Sequence, residues 1–98
     1  MAEIKVTPQQ LKDKAATLES LNSKFRSEVE KMVGYESTLA SMWEGEAQKA
    51  FHAAFNTDKA KMDAFAANID KYVAALREDA QRYETAENAA TNIATTRK

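Results

Sequence analysis

Side chains suited to catalysis or metal binding are sparse in this chain. His52 is the only histidine and cysteine is absent, so no histidine pair or Cys/His cluster can hold a transition metal, and disulfides are excluded. Serines 20, 23, 27, 37 and 41 fall in or beside a predicted helix, with no nucleophile elbow and no glycine-rich phosphate loop. Acids are numerous, but helix surfaces carry acids routinely, and no carboxylate pair stands apart from that background. These residues predict no catalysis, no cofactor and no metal, and His52 reads as a helical surface residue near a turn. What does stand out by type and spacing is Trp43 followed by Gly45 in SMWEGEAQKAF: the sole tryptophan and one of two glycines, one residue apart.

Composition sets the frame around that pair. Ninety-eight residues, 44% hydrophobic and 30% charged, suit one globular domain over 1–98. Fourteen basic and fifteen acidic residues give a formal charge of -1 with both signs dispersed, so no basic stripe offers itself to nucleic acid. The segment MAEIKVTPQQ carries an acid and no apolar run, which argues against a secretory signal, and no stretch could span a bilayer. Balanced charge also lacks the basic bias that holds amphipathic helices on anionic lipid, so no stable membrane insertion is expected.

One proline and two glycines leave little punctuation, which predicts long helices and no strand. Thr7 suits an N-cap, Pro8 the first helical position and Gln10 the capping box, so helix one is expected over about 8–42. Leu11, Leu18, Phe25, Met32 and Leu39 recur every seven residues, with Ala15, Val29 and Trp43 four residues along, and Leu21, Tyr35 and Met42 widen the stripe. Past a turn at 43–45 the period resumes through Phe55, Met62, Ile69, Leu76 and Tyr83, flanked by Phe51, Phe65 and Tyr72, predicting helix two over about 46–87. The threonine- and asparagine-rich end, 88–98, is expected to fray. So short a connection forces an antiparallel helical hairpin, in which Gly45 permits the reversal and Trp43 closes the apolar end.

Such a hairpin should not be alone. A helix of about 36 residues is roughly 54 Å long, and two make a thin rod with no enclosed centre. Leaving five large apolar side chains exposed would forfeit roughly 7–15 kcal/mol, about the stability of a whole domain. The expected architecture is all-α: a homodimer of hairpins packed as a four-helix bundle, with a heterodimer with a paralogous hairpin as the competitor.

The length, the two long helices and Trp43-Glu44-Gly45 at the turn resemble the Trp-X-Gly (WXG) family of early-secreted-antigen-like proteins exported by type VII, or ESX, secretion systems. Tyr83-Glu84-Thr85-Ala86-Glu87 resembles that family's export signal, a tyrosine with an acid four residues on. The resemblance implies a non-enzymatic protein made in the cytoplasm of a Gram-positive bacterium and secreted without a cleaved signal peptide. It also implies recognition by a membrane-bound FtsK/SpoIIIE-type ATPase. An intracellular helical adaptor or coiled-coil structural protein, with a purely architectural turn, is the alternative. Tyr83 stands 38 residues beyond Gly45, roughly 57 Å along a helix, so one chain cannot present both motifs together. An antiparallel dimer would bring Trp43 of one subunit toward Tyr83 and Glu87 of the other.

Overall fold

Thr7 adopts an extended backbone at φ -86°, and its Oγ1 accepts from the Gln10 amide at 3.1 Å while Gln10 Oε1 accepts from the Thr7 amide at 2.9 Å. This reciprocal box, with Pro8 following it, satisfies donors that the first helical turn would leave orphaned. Helix α1 runs over Pro8–Met42 and ends at Trp43, whose extended backbone stops it. Gly45 then takes φ +118°, a region closed to most side chains, and its carbonyl accepts from the Lys49 amide at 3.3 Å to open helix α2, Glu46–Thr96. This computed structural model describes residues 6–96, with side chains as far as Ala90. Among the described residues there is no strand.

The hairpin matches the all-α architecture read from the sequence. The far end of α2 differs from expectation. The helix does not stop near 87 but continues to Thr96. Asn and Thr are indifferent helix formers, but Ala86, Ala89, Ala90 and Ala94 are strong ones, and no proline or glycine ends the run. The expected fraying over 88–96 is therefore corrected to helix, and residues 97 and 98 lie outside the described residues.

The seam between α1 and α2 is built from small and polar residues. On α1 the buried positions are Pro8, Ala15, Asn22, Val29 and Glu36, spaced by seven; on α2 they are Ala66, Val73 and Ala80. Alanines at 0–1% exposure let the two backbones approach closely. Leu11, Leu18, Phe25, Phe55, Met62, Ile69 and Leu76 flank that seam half-buried. Met32, Leu39, Phe65 and Tyr72, which the seven-residue reading places on the same stripe, are 39%, 42%, 55% and 60% exposed. The stripe thus divides into an inner row that one chain covers and an outer row that it does not.

The rod measures 81 × 26 × 19 Å, and its two flanks differ in chemistry. On one flank, bridges join the helices: Arg26 to Asp70 at 2.7 Å, Arg77 to Glu19 at 2.8 Å, and Lys12 to Glu84. At 100° per residue, Leu21, Met32, Tyr35 and Leu39 project from the opposite side of the α1 seam, beside Phe51 and Phe65 of α2. One face is closed by charge and the other is open and apolar.

Candidate functional site

The turn places Trp43 against the first residues of α2. Its ring lies 5.7 Å from that of Phe51, tilted by 48°, and the residue remains 37% exposed. A tryptophan that ends one helix and rests on the start of the next packs the two sides of the reversal together and still leaves part of its ring open. Gly45 sits beside it with nothing within 4 Å of the position a Cβ would take, so its requirement is torsional and not steric.

Two open hollows lie along the apolar face. The first, about 250 Å³, is lined by Met32, Tyr35, Glu36, Leu39, Phe51 and Phe55. The second, about 230 Å³, is lined by Leu18, Leu21, Asn22, Phe25, Phe65 and Ile69. Phe25 and Phe65 meet edge to face across the helices with ring centres 5.5 Å apart. Hollows of this depth with almost purely apolar walls favour apolar side chains as occupants.

Sequence reasoning passes over two polar clusters beneath this face. Asn22, 4% exposed, donates from Nδ2 to the Ala66 carbonyl and to Asp70 Oδ1, each at 3.0 Å, while its own Oδ1 is buried without a partner. Asp70 in turn accepts from both terminal nitrogens of the Arg26 guanidinium, at 2.7 and 3.2 Å. The hydrogen bond from Arg26, then its charge and the bond from Asn22, hold the Asp70 carboxyl below the usual carboxylate value against a partial desolvation. Arg77 does the same for Glu19 through a two-pronged bond at 2.8 and 3.2 Å. The second cluster lies near the turn. Glu36, 7% exposed, accepts from His52 Nδ1, and His52 Nε2 lies 3.1 Å from Asn56 Nδ2. With Nδ1 protonated and Nε2 accepting from Asn56, a neutral imidazole satisfies both contacts. His52 is exposed, as expected, but it also partners a carboxylate buried in the seam. An acid falling on the seven-residue repeat of Ala15, Asn22 and Val29 was the signal available for this.

The far end of the rod carries the other motif. Tyr83 is 52% exposed and Glu87 lies one turn beyond it, also exposed. The hairpin does not bring Tyr83 and Glu87 near Trp43 and Gly45; the first pair lies far along α2 from the turn that holds the second. Among the described residues no group of three or more His, Asp or Glu side chains is placed to hold a metal ion, and no helix is long and apolar enough to cross a membrane.

Comparison with known proteins follows this geometry closely. The family WXG100, described as proteins of 100 residues with WXG, matches residues 3–88. Among solved structures, the secreted protein EsxB of Bacillus anthracis str. Sterne, in selenomethionine form, superposes with a TM-score of 0.78 at 24% identity, over 89% of this chain and 99% of that one. A point variant of the same protein gives 0.77 at 26% identity, over 91% of this chain and 98% of that one. No curated protein matches.

Proposed function

The chain belongs to the WXG100 family of small secreted ESX substrates, and from that premise we propose that it leaves the cell as a folded antiparallel homodimer through a type VII secretion system. In this reading Trp43 and Gly45 of one subunit and Tyr83 and Glu87 of the other form one docking surface for a membrane-bound FtsK/SpoIIIE-type ATPase, without a cleaved signal peptide. Outside the cell it acts by binding, as an effector or as a co-factor of secretion, and not by catalysis.

The observation that carries the proposal is the one-sided apolar face. Leu21, Met32, Leu39, Phe65 and Tyr72 are between 39% and 60% exposed on a rod whose opposite flank is already closed by ion pairs. A soluble chain cannot keep a continuous patch of that kind in water without loss of stability. A second hairpin covers it and sets the turn of one chain beside the tail of the other. Selection of the assembled dimer over stray chains follows, because neither chain alone presents both motifs at one place.

The test is export. In a strain with the secretion ATPase, the chain is expected in the culture medium, and deletion of the ATPase should retain it in the cell. Tyr83→Ala and Glu87→Ala should abolish export while leaving the dimer intact, whereas Trp43→Ala should impair both. Normal export of all three variants would remove the motif assignment.

A further inference from the structure

We propose that the second copy docks about a two-fold axis passing beside Phe25 and Phe65, so that these two rings and the partner's Phe25 and the partner's Phe65 form one aromatic cluster at the centre of the bundle. The inference rests on the reading above that another copy covers the apolar face; it adds the register in which it does so.

Two hairpins laid face to face, turn against tail, are related by an axis that lies between them and crosses the rods. Such an axis keeps each helix over its own counterpart and reverses its direction, so α1 lies on α1 and α2 on α2. On α1 the seven-residue stripe is its own mirror image about Phe25, the middle residue of Pro8–Met42. Leu11 then faces the partner's Leu39, Leu18 faces the partner's Met32, and Phe25 faces the partner's Phe25. On α2 the part of the stripe from Phe55 to Leu76 is symmetrical between Phe65 and Ala66: Phe55 faces the partner's Leu76 and Met62 faces the partner's Ile69, while Tyr83, the next member, faces the partner's Gln48.

A single axis can serve both helices only if the two centres of symmetry stand at one level of the rod. They do: Phe25 and Phe65 are in ring contact, 5.5 Å apart and inclined by 68°. This coincidence commits the occupant to a second copy, since the α1 stripe and the first four members of the α2 stripe each complete their own image. It also explains why Phe65, 55% exposed, sits beside a hollow: the partner's Met32, 39% exposed and flexible, is the side chain that faces that hollow's Leu18 wall. At the far end the same register sets Trp43 level with the start of the partner's α1. The Lys12–Glu84 bridge marks that level as the neighbourhood of the partner's Tyr83.

Because the chain has no cysteine, introduced thiols report the register directly. Phe25→Cys should link to its own copy under mild oxidation. Leu18→Cys mixed with Met32→Cys should give a linked heterodimer, and this pair leaves both phenylalanines in place should Phe25→Cys fail to fold. Met32→Cys alone should not link, since its two copies lie about 21 Å apart along the rods, beyond the roughly 7 Å a disulfide spans between Cα atoms. Linking of Met32→Cys to itself, or of Leu18→Cys to Leu39→Cys in preference to Met32→Cys, would overturn the register. Sedimentation of the unsubstituted chain separates the two levels: a monomer removes the dimer reading, whereas a dimer with the wrong links removes only this inference.

Discussion

The two glycines provide a matched pair of substitutions with opposite expected signs. At both Gly34 and Gly45 a Cβ would meet nothing within 4 Å, so added bulk is neutral at each and only the backbone decides. Gly34 lies inside α1, where alanine is favoured by about 1 kcal/mol. Gly45 holds φ +118°, beyond the left-handed well in which an L-residue already loses roughly 1–2 kcal/mol, so Gly45→Ala should cost about 2 kcal/mol. For a domain of this size each kcal/mol moves Tm by about 4–8 °C. Gly34→Ala should therefore melt about 4–8 °C above the parent and Gly45→Ala about 8–16 °C below it, read by circular dichroism at one fixed chain concentration because assembly makes Tm concentration-dependent. A D-alanine in place of Gly45, introduced by synthesis, should restore the parent Tm, since its chirality suits positive φ. A Gly45→Ala chain melting within about 2 °C of the parent would refute the torsional argument.

Three other sets of substitutions probe the face, the flank and the buried acid. Phe65→Ala removes the ring of a residue that is 55% exposed in the single chain, and burying that ring is worth about 2–3 kcal/mol per chain. With two copies per dimer the loss is about 4–6 kcal/mol, so the dissociation constant should rise by about a thousand- to twenty-thousandfold in sedimentation equilibrium. Asp70 and Glu19 titrate below their unfolded values, so their contribution is complete above those values and is lost as pH falls through the lowered ones. The urea midpoint should accordingly drop below about pH 4, and Asp70→Asn with Glu19→Gln should flatten that limb. His52→Ala leaves Glu36 buried without its partner and should destabilise the hairpin by about 1–3 kcal/mol in urea unfolding, with Glu36→Leu restoring much of the loss.

Much of the fold is legible because its signals are local. Thr7, Pro8 and Gln10 sit within four residues and satisfy each other's groups, and the turn at Gly45 needs one backbone angle. The seven-residue recurrence of large side chains marks a stripe, but large side chains do not show where the chain packs upon itself. That seam belongs to Ala15, Ala66, Val73 and Ala80, residues too small to register as a hydrophobic signal, and to Asn22 and Glu36, whose polarity argues for solvent until a cross-helix partner is seen. Phe65 and Tyr72 read as core by spacing and stand exposed because a hairpin offers each helix one neighbour only. Helix α2 outlasted its weak formers since alanines carried it past Glu87. Trp43, Gly45, Tyr83 and Glu87 are conspicuous in the sequence, but their joint geometry depends on a second chain and lies beyond what one chain's periodicity can express.

The claim that a second copy covers the apolar face is tested most directly by sedimentation equilibrium of the purified full chain at low micromolar concentration. A single helical species of twice the 10.9 kDa chain mass is expected. A folded species of 10.9 kDa, equally helical and soluble with that face open, would contradict it.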